Sequence, residues 1–185
     1  MFCCSTPFSY PSYQLLCLQI TDVYCIVTTY TTENLAEQEP HIQSIRNESK
    51  LYSAAGDGRI PWVSADDIAA VAVQTLTQQD PPNTEFLVLG PELLSYDDLA
   101  TILSNLLGRK IVHVELSSAE FSKRHQSFGM PENYAEMMSS LDTAIKFGAE
   151  NRTNDVVFSI TGVAPRPFRE YAESVKRVWE PITVS

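Results

Sequence analysis

At 185 residues, with 44% hydrophobic and 19% charged side chains, the chain has the make-up of one folded domain and not of a disordered segment. Thirteen Lys and Arg against 23 Asp and Glu leave a net charge of −10, which supplies no basic face to track phosphates, so nucleic acid is not expected as a partner. No apolar run approaches the roughly 18–20 residues of a membrane span. The apolar N-terminus lacks the positive flank of a signal peptide and is interrupted by Pro7, Pro11 and Ser12, so a soluble, cytoplasmic protein is expected.

The first 45 residues stand apart. They hold no Lys or Arg and all four cysteines, Cys3, Cys4, Cys17 and Cys25, without CxxC spacing or a histidine close by to complete a zinc site. Reduced thiols and no metal are expected. Residues 1–19 show no clean period and are expected to be irregular. Residues 20–30 (ITDVYCIVTTY) are β-branched and aromatic, as suits a buried strand. Thr32 or Asn34 then caps a helix to about Ser49, which Pro40 breaks or restarts.

Lys50–Ala54 and Arg59–Val63 flank Gly56-Asp57-Gly58, which reads as a hairpin turn. Ser64 caps a helix in which Ile68, Val71, Ala72, Thr75 and Leu76 recur at helical spacing until Pro81-Pro82 ends it. Glu85–Gly90 (EFLVLG) is short and almost wholly apolar, the pattern of a central strand buried on both faces. Ser95 caps a second helix with a stripe of Leu99, Ile102, Leu103, Leu106 and Leu107, closed by Gly108. Lys110–Leu116 alternates as a strand with one covered face. Ser117 and Ser118 begin a third helix ending near Gly129, Pro131 starts a fourth ending at Gly148, and Phe168–Trp179 is a last amphipathic helix. The elements predict an α/β fold, with 20–116 as the C-terminal part of a Rossmann-like doubly wound sheet and 117–185 as a small, mainly helical substrate lid.

Chemical signals are sparse. No glycine-rich strand-to-helix turn, no Tyr-x-x-x-Lys pair and no G-x-S-x-G elbow is present, and Asp66-Asp67 and Asp97-Asp98 sit where helix starts want acids. His41 and His113 read as surface or satisfied core histidines. His125 is the better candidate because it lies in an aromatic and Met-rich stretch (Phe121, Phe128, Met130, Tyr134, Met137, Met138) that suits a flat apolar ligand.

Four strings carry more information than any single residue: KLYSAAGDGRIPWVSADDIAAVA, EFLVLGPELLSYDDLATILSNLLGRKIVHVEL, KRHQSFGMPENYAEMMSSLDTAIKFGAENR and PRPFREYAESVKRVW. Over about residues 33–185 the sequence resembles the fungal NmrA-like, atypical short-chain reductases of ergot alkaloid biosynthesis, the festuclavine and agroclavine dehydrogenase family. The resemblance implies an NAD- or NADP-linked reduction of a cyclic iminium, formed when an aldehyde of the chanoclavine series condenses with its own secondary amine. An iminium is already activated, which agrees with the missing Tyr-x-x-x-Lys. Within 27–35 (VTTYTTENL), Glu33, Asn34 and Leu35 match the family, which implies nicotinamide-side contacts from Thr29, Tyr30 and Asn34. His125, Phe128, Met130, Tyr134 and Met138 are the implied substrate-binding residues for the clavine alkaloid. The family's first strand and glycine-rich turn have no counterpart in the sequence. Two readings follow: a reductase subunit or truncated form completed by a second polypeptide carrying the nucleotide-binding half, or a non-catalytic NmrA-like interaction or regulatory protein.

Overall fold

The computed structural model describes residues 14–18, 24–28, 30–78 and 84–181, the first two stretches as backbone strands alone. In chain order these are β1 (Gln14–Leu18), β2 (Tyr24–Thr28), α1 (Asn34–Glu37), α2 (Glu39–Gln43), β3 (Lys50–Ser53), β4 (Ile60–Pro61), α3 (Ala65–Leu76) and β5 (Glu85–Val88). β6 (Leu93–Leu94), α4 (Tyr96–Leu107), β7 (Val112–Glu115), α5 (Ser118–Ser127), α6 (Glu132–Lys146), α7 (Val156–Thr161) and α8 (Phe168–Val175) follow. A π-helical turn spans Ser44–Glu48 and a 3-10 turn Lys176–Trp179.

Helix starts are fixed locally. Ser95 Oγ accepts from the Asp98 N–H at 3.2 Å while Asp98 accepts from the Ser95 N–H at 2.9 Å, and Ser117 and Glu120 repeat that reciprocal box. Two orphan donors are satisfied at each start, and the carboxylate faces the positive end of the helix. Gly108, in left-handed geometry at φ 63°, ends α4 as its spacing predicts.

Strand pairing is less local. β2 runs parallel to β5 and antiparallel to β1, β3 runs parallel to β7, and β4 pairs antiparallel with β6. Single hydrogen bonds join these short sheets: Thr32 N–H to the Val63 carbonyl at 2.9 Å, Val63 N–H to Tyr30 at 3.2 Å, and Gly90 N–H to Pro61 at 3.1 Å. The chain leaving β2 is thereby held beside Val63, which sets Tyr30 at the carboxyl end of the strand.

Several expectations are corrected. Gly56-Asp57-Gly58 turns the chain, with Gly58 N–H bonded to Ala55, but β3 and β4 do not pair with each other, so no hairpin forms. Gly58 serves close approach instead: a Cβ there would lie 2.3 Å from the Ile145 carbonyl oxygen. Among the described residues β5 pairs only with β2, and only its last residue, Val88, is buried, so it is not a strand covered on both faces. The span 1–19 includes β1 and is not wholly irregular. The helix after β2 is three short turns, restarted at Pro40, and α7 has no counterpart in the pattern because six residues carry too little period to register.

The main core gathers Leu35, Ile45, Leu51, Ile60, Trp62, Tyr96, Leu99, Leu103, Ile145, Phe168 and Trp179. A smaller cluster of Val63, Val71, Val88 and Val157 packs α3 and α7 on β5. The C-terminal turn is tied back by polar bonds: Trp179 Nε1 donates to the Leu35 carbonyl at 2.8 Å, and Arg109 donates to Ile45 and Trp179 carbonyls at 2.7 and 2.9 Å. An added Cβ at Gly90 would lie 1.7 Å from the Trp62 carbonyl oxygen, whereas one at Gly108 meets nothing within 4 Å. Gly90→Ala therefore costs about 3 kcal/mol through overpacking and Gly108→Ala about 1 kcal/mol through backbone strain. Urea denaturation midpoints check the order; equal losses would contradict it.

Candidate functional site

The carboxyl ends of parallel strands are where open α/β sheets bind ligands, and a cleft lies there. Tyr30 follows β2, Ala54 follows β3, Trp62 follows β4, and Tyr96 opens α4 behind its Ser95 cap. A narrow cleft with room for about one water molecule is lined by Tyr30, Trp62, Tyr96 and Phe121 on its aromatic side, and by Asn34, Gln38, His41, His125, Met138 and Asp142. Its rings pack edge to face, Tyr30 on Trp62 at 5.8 Å and Trp62 on Tyr96 at 5.7 Å.

Asp142 is the unexpected member. It sits on the inward stripe of α6 with Ala135, Ser139 and Ile145 and is only 2% exposed. It accepts from the Ala54 N–H at 2.8 Å and the Tyr30 hydroxyl at 3.4 Å. Burial pushes its carboxyl up to about 7, against those two hydrogen bonds, which favour the charged form. Burial, with the nearby Asp142 carboxylate, raises the Tyr30 phenol far above its ordinary range. Tyr96 is raised likewise, so both tyrosines stay protonated.

His125 is 2% exposed, lies edge-on to Phe121 at 4.4 Å, and neither ring nitrogen has a hydrogen-bond partner among the described residues. Burial, then the Arg124 charge, lowers its pKa. Burial drives His41 to about 3, helped by His125 and Arg124. The polar lining is thus neutral near pH 7 apart from Asp142. A neutral imidazole with one free donor and one free acceptor carries a desolvation cost that a ligand can relieve.

His113 belongs to a different device. Its Nε2 lies 2.9 Å from Ser53 Oγ, its Nδ1 lies 3.3 Å from Asp97 Oδ1, and its ring stacks on Tyr96 at 5.6 Å. The order Ser–His–Asp invites comparison with a hydrolase, but Ser53 is fully buried and no substrate reaches it. The string holds Tyr96 in place.

Of the residues singled out from sequence, Tyr30, Asn34, His125 and Met138 meet at this cleft. Phe128, Met130 and Tyr134 are not among its lining; Phe128 is 39% and Tyr134 47% exposed, one at the end of α5 and the other on an outward face of α6. Thr29 lies outside the described residues. Trp62, Tyr96 and Asp142 were not singled out, although the inward stripe of α6 marks Asp142 as an acid among small and apolar neighbours.

A dinucleotide fits this chain poorly at its pyrophosphate. That group needs a glycine turn opening a helix N-terminus. Gly58 and Gly90 are filled by the backbones of Ile145 and Trp62, Gly56 lies against the side chains of Glu115 and Lys146, and Gly108, Gly129, Gly148 and Gly162 follow helix C-termini.

Unfolded, Asp142 ionises near pH ~4; folded, near 7. Its contribution to stability is therefore complete below pH ~4, falls as the pH rises to 7, and is level above. His41 opposes this, its contribution being complete above pH ~6.5 and lost as the pH falls toward 3. Comparison with Asp142→Asn isolates the carboxyl: wild-type stability minus variant stability, from urea unfolding, falls between pH 4 and pH 7 and is flat beyond, by a linkage of about these limits. A constant difference would show that Asp142 titrates normally.

Comparison with known proteins adds a lineage. The chain is 44% identical over 164 residues to festuclavine dehydrogenase of Aspergillus fumigatus, covering 86% of this chain and 56% of that protein. It is 45% identical over 136 residues to agroclavine dehydrogenase of Claviceps fusiformis, covering 74% and 47%. It spans about half the length of the curated relatives it matches. No family model matches it. Among solved structures, Citrobacter sp. triphenylmethane reductase complexed with NADP(H) superposes with a TM-score of 0.69 at 24% identity, over 79% of this chain and 50% of that one. The Escherichia coli NADPH-dependent quinone oxidoreductase QOR2 gives 0.70 at 23%, over 82% and 53%. The fold is Rossmann-like α/β, as its sequence predicts.

Proposed function

The chain belongs to the festuclavine and agroclavine dehydrogenase family, of whose length it spans about half, and from that premise we propose that it carries the substrate side of an NAD(P)-dependent reductase. The substrate in this reading is a cyclic iminium of the chanoclavine aldehyde series, and the product festuclavine or a related clavine. A second polypeptide holds the dinucleotide, since none of the seven glycines of this chain opens a helix.

One observation carries the reading: an aromatic cleft at the carboxyl ends of the strands, with the two free nitrogens of His125 on its wall. Tyr30, Trp62, Tyr96 and Phe121 are buried aromatic neighbours of the cleft, and a polycyclic ring system would enter only as they and the adaptable Met138 side chain move apart. His125 accepts or donates one directional hydrogen bond that fixes which way the rings lie. The chain's own contribution is positioning and exclusion of water, with no general acid demanded of it at the acceptor carbon. Tyr30 and Asn34 form the side of the cleft next to the β2 exit, the place for nicotinamide-side contacts.

The test is reconstitution. Alone, the purified chain shows no saturable binding of NADH or NADPH at micromolar concentration. Mixed with a polypeptide bearing the glycine-fingerprint half of the Aspergillus relative, it consumes reduced nicotinamide when the cyclised aldehyde is added. Tight cofactor binding by the chain alone would refute the division of labour, and a stable complex without turnover would favour the non-catalytic reading. Within the active mixture Met138→Ala raises KM for the iminium about tenfold, for roughly 1.5 kcal/mol of lost apolar contact. Phe128→Ala and Tyr134→Ala, off the cleft, change it less.

A further inference from the structure

Distance along the chain joins none of the four cysteines, but strand register sets two of them opposite each other. β1 and β2 run antiparallel with Gln14 beside Thr28, Leu16 beside Ile26 and Leu18 beside Tyr24, and within that ladder Cys17 is the partner of Cys25. Directly opposed residues of an antiparallel pair have Cα atoms about 4.5 or 5.5 Å apart, according to whether they exchange hydrogen bonds. A disulfide spans Cα separations of about 4.4–6.8 Å, so either kind of pair lies within its reach. A slip of one residue would set Cys17 against Tyr24 or Ile26 instead, and the match would be lost. Cys3 and Cys4 lie outside the described residues.

We propose that Cys17 and Cys25 form a redox-closable clasp, a site of reversible disulfide formation that takes a small-molecule disulfide as its oxidant. The thiolate of one cysteine attacks the small disulfide, forming a mixed disulfide with it and expelling one thiolate. The second cysteine then attacks the protein sulfur of that bond and expels the other. In sum, two cysteine thiols become one disulfide, the oxidant takes up two electrons to become two thiols, and the two cysteine protons end on them. A reducing thiol in excess runs the exchange backwards.

The position gives the bond a consequence. β2 lies between β1 and β5, and the chain leaving β2 leads to Tyr30 at the wall of the cleft. Closed, the clasp holds β1 on the edge of β2 away from β5 and denies that edge to any other strand; open, β1 is free of covalent restraint there and can be exchanged. The inference needs neither cofactor nor turnover and stands apart from the reductase reading.

For the test, the full chain carrying Cys3→Ser and Cys4→Ser is equilibrated in mixtures of reduced and oxidised glutathione, and the bond is counted by alkylation and mass spectrometry, in buffer and in concentrated urea. Cysteines this close in sequence meet at some rate in any chain, so the comparison with urea isolates the contribution of the register. The Cys17–Cys25 bond is expected to be at least about tenfold more stable in buffer than in urea, because paired strands raise the effective concentration of one thiol at the other. Moving one thiol a single residue out of register, with Cys25→Ser and Ile26→Cys, removes most of that gain. Bond and strand pairing are linked, so oxidation suppresses opening of the β1–β2 pair by the same factor, read by amide exchange over residues 14–18 and 24–28 in the oxidised chain and in Cys17→Ser. A bond equally stable in buffer and in urea, or equally stable with the thiol at position 25 or 26, would overturn the proposal.

Discussion

The burial of Trp62 is the contact on which the other features depend. Its ring touches Tyr30, Tyr96 and Phe168, its Nε1 donates to the Leu94 carbonyl at 3.3 Å, and its own carbonyl occupies the space a side chain at residue 90 would need. One residue thus joins the exit of β2, the start of α4, the C-terminal helix and the chain after β5. The wall of the cleft and the centre of the main core are the same side chain. Ligand geometry and stability are consequently not separable there, which is common where a site is built on rigid elements and not on loops.

The cleft is polar without being charged. Two tyrosines, two imidazoles, two amides and one carboxyl share a wall, and burial pushes each titratable member toward its neutral form. A carboxylate and an imidazolium would each cost several kcal/mol to desolvate there. What remains is a set of directional donors and acceptors on an aromatic lining, with one group that can still acquire charge when an incoming partner justifies it.

Local features were legible in sequence and long-range ones were not. The starts of α3, α4 and α5 follow from Ser64, Ser95 and Ser117, because a cap bonds to amides two or three residues on and needs nothing from the rest of the fold. The partner of β3 is β7, about sixty residues away, so a turn signal at Gly56–Gly58 naturally suggested its sequence neighbour instead. His125 could be picked from its aromatic surroundings, but the same composition brought in Phe128 and Tyr134, which composition cannot place on one face or another. Asp142 falls on the inward stripe of α6 with Ala135, Ser139 and Ile145, but the partner that brings it to the cleft, Tyr30, lies 112 positions earlier, where no local pattern points to it.

That separation also orders events in the making of the molecule. The Tyr30–Asp142 contact closes a loop of 112 residues, and the Trp179–Leu35 bond behind it closes one of 144. Loop-closure entropy is met before such contacts return anything, so neither can precede the local helices and turns between them. During synthesis the first wall of the cleft waits, apolar and uncovered, until α6 and the turn at Lys176–Trp179 have emerged. The carboxyl that completes it arrives on α6, and the turn that locks it arrives later still, at Trp179.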